Sequence, residues 1–432
     1  MLYYSTNRQS PIIGFEEAIL QGLASDEGLF FPTSVPKLPV SFFESIEELT
    51  PQEIALEVIK QFAGNEITEN KLQQIVSETL DFPIPLVKVE DNIFSLELFH
   101  GPTLAFKDVG ARFMARTLRF FLEKKSKPVT ILVATSGDTG GAVASGFYDV
   151  EGIRVVILYP SGKISAMQEK QLTTWGKNIY ALEIDGTFDD CQKLVKSAFT
   201  DSELKAQYGL TSANSINIAR LLPQTFYYFL AYQQLRDKSR PFIVSVPSGN
   251  LGNLTAGLIA WRMGLPVEKF VVASNSNDVV PKYLKSGQFY PKASVHTVAN
   301  AMDVGNPSNF ARVLEVFGHD YEQLKGKLAG HSYNDDEIKS CITEVFQRTG
   351  YTLDPHGACA YLALQKELKE SEVGVFLETA HPAKFSETVN ESIGQSILIP
   401  DSLNKIIKKD KVSIQCQHSL DALREVLSTI LK

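Results

Sequence analysis

Two stretches of this chain carry the same junction, and it restricts the fold more than any other feature. Pro128–Ala134 is an apolar, β-branched run that passes through Thr135-Ser136-Gly137-Asp138-Thr139-Gly140-Gly141 into a small-residue helix predicted over Ala142–Phe147. Phe242–Val246 passes through Pro247-Ser248-Gly249-Asn250-Leu251-Gly252-Asn253 into a helix predicted over Leu254–Met263. Each reads as strand, glycine-rich turn, helix. Glycines let the backbone approach a ligand closely, and the first N–H groups of a helix suit an anion. One such turn is weak evidence, since any α/β protein has glycines at its strand ends. Two, both with hydroxyl and amide side chains, point to a pair of anion cradles.

The rest of the chain fits an α/β fold with parallel-rich sheets. Further strands are predicted at Ile93–Leu98, Arg154–Tyr159, Ile179–Ile184, Phe270–Ala273 and Val373–Leu377, with helical patterns between them. Residues 1–95 read as a separate, mostly helical domain. Its helices are predicted over Ile12–Leu23, Pro51–Phe62 and Glu69–Leu80, with Gly28–Pro32 as a buried turn. Residues 96–390 form the core, in two α/β lobes, the smaller at roughly 128–215. Residues 391–432 read as an extension packing on that core, ending in an amphipathic helix over Leu420–Leu431.

Composition removes several function classes. The chain has 432 residues, 44% apolar and 21% charged, enough for a large core. The net charge of −8 and the lack of a Lys/Arg stripe argue against nucleic acid. Lys405, Lys408, Lys409 and Lys411 read as a solvated face. The four cysteines are scattered, without the spacing of a zinc site or a disulfide framework. No secretory h-region and no apolar run of membrane length is present, so the expectation is a cytoplasmic protein with a small-molecule substrate and no membrane partner.

Neither glycine loop is a nucleotide signature. Both lack the lysine of a Walker A loop, and the Gly-x-Gly-x-x-Gly spacing fails in both. A lysine stands elsewhere. In Leu98-Phe99-His100-Gly101-Pro102-Thr103-Leu104-Ala105-Phe106-Lys107-Asp108, Lys107 lies among apolar residues at a loop-to-helix junction, with Asp108 as the expected N-cap of a helix over Val109–Leu122. Partial desolvation there disfavours an ammonium and favours a nucleophilic amine. Two anion cradles and such a lysine are the parts that pyridoxal 5'-phosphate (PLP) requires. In Glu378-Thr379-Ala380-His381-Pro382-Ala383-Lys384-Phe385, Thr379 offers a neutral hydroxyl to the ring nitrogen. That choice steers chemistry toward elimination and replacement. His381 reads as an acid/base group or as a structural histidine.

These residues resemble the threonine synthase family, PLP enzymes of fold type II with a tryptophan synthase β-like fold. The likeness rests on Gly28–Pro32, His100–Asp108, Thr135–Gly140, Ser248–Gly257 and Glu378–Phe385, supported by Asn214-Ser215-Ile216-Asn217 and Ala301-Met302-Asp303-Val304. The resemblance implies that Lys107 forms the Schiff base, that Gly249, Asn250, Leu251 and Asn253 hold the cofactor phosphate, and that Thr379 meets the pyridine nitrogen. It implies that Ser136, Gly137 and Thr139 face the substrate carboxylate, while Asp138 has no assigned part. Thr103 joins the substrate-binding set. For the substrate phosphate the candidates are Lys163, Ser212, Asn214, Arg112 and Arg220, with Arg220 first, because a guanidinium grips phosphate in two places. The implied reaction converts O-phospho-L-homoserine and water to L-threonine and phosphate, by γ-elimination and β-hydration. A phospho-lyase releasing 2-oxobutyrate, a non-catalytic protein of the same fold and a nucleotide-dependent enzyme are the alternatives.

Overall fold

A computed structural model describes residues 1–432 except Lys124, Ser126, Ser136 and Lys432. The chain divides into two compact units. The first comprises Met1, Phe31–Phe106 and Leu221–Leu398; the second comprises Leu2–Phe30, Lys107–Arg220 and Ile399–Lys432.

The first unit is built on a six-stranded sheet. Its order is Leu328–Ser332, Val267–Ser274, Phe242–Pro247, Val373–Glu378, Ile93–Glu97, Leu86–Lys88. All neighbours are parallel except the last pair. Phe242–Pro247 and Val373–Glu378 are buried along their whole length. This is why they read as unbroken apolar runs: a parallel strand covered on both faces has no polar side to show. One face packs Ile243, Val271 and Phe376 against Ala358, Tyr361 and Leu364 of the helix Pro355–Glu367. The helices Pro51–Ala63 and Glu69–Thr79 pack on each other. The first begins with a reciprocal cap, in which the Thr50 side chain accepts from the Glu53 N–H and the Glu53 carboxylate accepts from the Thr50 N–H.

The second unit has a five-stranded, wholly parallel sheet ordered Ile414–Gln417, Ile179–Asp185, Ile153–Pro160, Val129–Ala134, Leu210–Ser212. The helix Leu420–Ile430 turns Leu423 and Leu427 onto Leu182, Ile184, Cys191 and Leu194, so the C-terminal segment completes this unit's core. The helices Lys107–Leu122 and Asp138–Phe147 pack together.

Three local expectations change. The helix after the lysine loop begins at Lys107, so Asp108 lies inside its first turn and not at the N-cap. There its carboxylate still favours the positive end of the helix dipole. Phe30–Pro32 is a short strand and not a turn. Lys411 is no idle surface charge: its Nζ lies 2.7 Å from both Glu169 Oε1 and Glu183 Oε2.

Candidate active site

Three loops of the first unit leave the sheet side by side. Phe242–Pro247, Val373–Glu378 and Ile93–Glu97 are successive parallel neighbours, so their following segments emerge at one sheet edge. The strand order also reverses there. From Phe242–Pro247 the chain continues to Val267–Ser274 on one side, while Val373–Glu378 lies on the other. Such a reversal opens a crevice at the carboxyl ends of the strands, where open α/β sheets bind ligands.

The loop Ser248–Asn253 is tightly specified. A Cβ on Gly249 would lie 2.8 Å from the Ala301 carbonyl oxygen and 2.9 Å from Met302 Cα, so nothing larger than glycine fits. Leu251 takes a left-handed conformation, φ 60° and ψ 10°, directly before the helix Gly252–Arg262. That conformation costs about 1–2 kcal/mol. Burial of the Leu251 side chain, 2% exposed, offsets it by about 1.5–3 kcal/mol. The Asn250 Oδ1 accepts from the Ser308 N–H, and its carbonyl accepts from Asn309 Nδ2 at 3.0 Å. Asn309 Oδ1 in turn accepts from Arg312 Nη1 at 2.8 Å. Arg312 is fully buried, and burial brings its guanidinium down to about 9.

Asn253 supplies the most direct sign of a ligand. It is buried, and its Oδ1 accepts from the Tyr228 hydroxyl at 2.9 Å. Its Nδ2 is buried too, with no partner among the described residues. Leaving a buried donor unsatisfied costs about 1–3 kcal/mol. An anion at this helix start would supply the missing acceptor.

Thr379 leaves the neighbouring strand. It is buried, and among the described residues its hydroxyl has no hydrogen-bond partner. The Thr379 carbonyl accepts the Phe106 N–H at 2.9 Å, and the Tyr227 hydroxyl donates to the Phe106 carbonyl. The residue before Lys107 is therefore held at both its backbone polar groups. Around it, the Leu98 N–H donates to the Glu378 carbonyl and the His381 N–H to the Leu104 carbonyl. Leu104 is also left-handed, at φ 57°. Thr103 is buried, and its carbonyl accepts from the buried Lys384 Nζ at 3.1 Å. His381 Nδ1 accepts the Ala383 N–H at 3.0 Å, a local cap. Burial, and then His100, lowers the His381 pKa, which keeps the ring neutral and suited to that role.

In the second unit Lys107 is half-buried at the first position of its helix. The loop beyond Val129–Ala134 is braced from within: Thr135 Oγ1 accepts the Gly137 N–H at 3.0 Å and the Gly140 N–H at 2.9 Å. The Gly137 N–H, expected as a donor to substrate, is thus engaged by its own loop. Ser136 lies outside the described residues. Thr139 is half-buried in the first turn of the helix Asp138–Phe147. Asp138 now has a partner, because its Oδ1 accepts from Gln168 Nε2 at 3.1 Å. A carboxylate beside a substrate anion is tolerable when it is committed elsewhere in this way.

The adjacent strand brings Ser212 and Asn214 to the same edge, where both do structural work. Ser212 Oγ accepts the Asn214 N–H at 3.2 Å, and Asn214 Nδ2 donates to the Ala134 carbonyl at 3.0 Å. Arg220 is also drawn inward. It is 3% exposed and donates from Nη1 to the Ala213 carbonyl. That bond ties one nitrogen of the guanidinium to the main chain of this segment. Lys163 is exposed beyond Ile153–Pro160, and Arg112 is half-buried on the Lys107 helix. Sequence reasoning assigned no role to Tyr227, Tyr228, Lys384, Arg312 or Gln168. None sits in a glycine-rich motif, and their partners are distant in the chain or hidden by burial.

Comparison with known proteins agrees with this geometry. Residues 80–379 match the family described as pyridoxal-phosphate dependent enzyme. Residues 2–80 match the threonine synthase N terminus, and residues 356–427 its C-terminal region. The chain is 47% identical to the threonine synthase of Haemophilus influenzae, over 99% of both chains. Among solved structures, that of threonine synthase from Escherichia coli has a TM-score of 0.95 at 45% identity, covering 99% of this chain and 100% of that one. The PLP-bound threonine synthase of Brucella melitensis has a TM-score of 0.92 at 35% identity, covering 99% of each.

Proposed function

Because the chain belongs to the threonine synthase family of PLP-dependent enzymes, we propose that it converts O-phospho-L-homoserine and water to L-threonine and phosphate with Lys107 as its catalytic residue. The observation that carries the assignment of roles is the loop register of the first unit. There the Ser248–Asn253 cradle, with its unpartnered Asn253 donor, stands beside the Thr379 segment that fixes the residue before Lys107.

The residues fit PLP. The N–H groups at the start of Gly252–Arg262, with Gly249, Asn250, Leu251 and Asn253 around them, hold its phosphate. The Thr379 hydroxyl would bond the ring nitrogen, and Lys107 Nζ would make the covalent link. When bound, PLP supplies an electron sink for the α-carbon of the amino-acid substrate. Lys107 would take the α-proton of the substrate and later return one to the same carbon. A neutral partner such as Thr379 does not favour ring protonation, which suits γ-elimination of phosphate followed by addition of water at the β-carbon. Thr139 would face the substrate carboxylate. Thr103, in the lysine loop, would join in binding the substrate. For the substrate phosphate we retain Arg220, Ser212 and Asn214, together with Lys163, which is exposed. The four thiols are buried and free, as a reducing cytoplasm would leave them, and this supports that location.

The test is to incubate PLP-loaded protein with O-phospho-L-homoserine and identify the carbon product with the phosphate. Threonine with equimolar phosphate is expected. Phosphate with 2-oxobutyrate would make it a lyase instead. Lys107→Ala should abolish turnover while leaving the thermal melt in place; threonine formed by that variant would remove Lys107 from the reaction.

A further inference from the structure

Behind the Thr379 segment lies a buried acid pair with no part in the chemistry above. Glu378 and Asp354 are both 0% exposed. Glu378 Oε1 accepts the Asp354 N–H at 2.5 Å, which brings the two carboxyls together. Each then keeps one buried oxygen, Glu378 Oε2 and Asp354 Oδ2, without a partner among the described residues. Space is no remedy, since a Cβ on Gly357 would lie 1.5 Å from Glu378 Oε2. Two buried acceptors with no donor are unfavourable, and two adjacent buried charges more so. One proton between the two oxygens removes both penalties.

The pair leads elsewhere. Asp354 Oδ1 accepts from His356 Nδ1 at 2.5 Å. His356 Nε2 accepts the Ala301 N–H at 3.2 Å, which fixes the ring as the neutral Nδ1–H tautomer. Ala301 and Met302 are the atoms against which Gly249 is packed. We propose that Glu378 and Asp354 share a single proton, and that this acid pair, acting through His356 and Ala301, positions the cofactor phosphate loop at one end and Thr379 at the other. The proposal rests on the PLP reading above. Glu378 is a positioning residue here, since it touches no reacting atom.

The other groups around the pair are consistent with it. Glu97, Tyr351 and Cys341 also face Glu378, and His381 faces Asp354 as a neutral ring. Burial, and then Asp354, raises the Glu378 pKa well above the carboxylate range. A raised carboxyl pKa means that the protonated pair is intact at low and neutral pH and is lost as pH rises.

Amide substitutions test the shared proton. In Glu378→Gln the amide donates to Asp354 Oδ2 and still accepts the Asp354 N–H. In Asp354→Asn the amide donates to Glu378 Oε2 and still accepts from His356. Either single variant copies the protonated pair, whereas the double variant sets two NH2 groups face to face. Measured by titrating apo-protein with PLP, each single variant should stay within about threefold of wild type, and the double should bind about tenfold or more weakly. A double variant no weaker than the singles, or a single as weak as the double, overturns the proposal. Should the double not fold, infrared spectra of the wild-type apo-protein decide: a carboxylic-acid carbonyl band at neutral pH, lost in Glu378→Gln, is expected, and its absence from wild type overturns the pair. Wild-type protein that takes up no PLP would sink the functional reading, while the infrared band would still report on the pair.

Discussion

At the residue scale, the cradle's demand for an anion is concentrated in Asn253. Half of its amide is satisfied by Tyr228, and the other half waits for an acceptor. A hydrogen bond to a charged group contributes about 1.5–3 kcal/mol, so Asn253→Ala should weaken PLP binding by about tenfold or more, read by titration of the apo-protein. Unchanged affinity would mean that backbone N–H groups alone carry the phosphate. Leu251 and Leu104 are the left-handed non-glycine residues of this site. Both stand in the loops assigned to the cofactor, where strain is sustained by burial of the side chain.

At the element scale, capping explains where several helices begin. Reciprocal caps open Pro51–Ala63, Ala166–Thr173, Phe188–Thr200 and Asp335–Thr349. The cap of Ala166–Thr173 does double duty, because its Gln168 also holds Asp138 of the glycine loop. Thr50→Ala removes the first of these caps. It should cost about 1 kcal/mol in urea unfolding and leave turnover unchanged. The strands show which elements a sequence reveals. In the two large sheets, the seven predicted strands are the seven interior ones. The four that went unread, Leu86–Lys88, Leu210–Ser212, Leu328–Ser332 and Ile414–Gln417, are the four edges. Interior parallel strands must be apolar on both faces, whereas edges are short and partly polar.

At the scale of the whole molecule, the C-terminal segment is tied into the second unit by charge as well as packing. Burial on its own would raise the Glu183 carboxyl, but Lys411 and Ser161, with Tyr159, bring it down to about 2. A depressed carboxyl pKa stabilises above the ordinary value of 4.5 and loses that contribution as pH falls toward 2. Protection of Ile414–Gln417 against hydrogen exchange should therefore decline as pH falls across that window. With Lys411 partly exposed, Lys411→Ala should cost about 1 kcal/mol and remove most of that pH dependence. A segment equally protected in the variant would show that the packing of Leu423 and Leu427 suffices. The domain limits drawn at 95 and 390 follow chain order, whereas the compact units each gather three separated stretches.

The sequence alone determined the fold class and the cofactor, and it singled out Lys107 and both glycine loops as candidates. These depend on local chemistry: strand periodicity, glycine at helix starts, and a lysine in apolar surroundings. The tertiary structure decided what each polar group does with its partners. It turned Arg220 and Asn214 inward to main-chain carbonyls, committed Asp138 to Gln168, engaged the Gly137 N–H within its own loop, and set Glu378 against Asp354. A side chain's type and spacing are written in the chain, but its hydrogen-bond partner depends on which residues the fold buries beside it. Burial is also what makes an unmet donor or a shared proton energetically consequential.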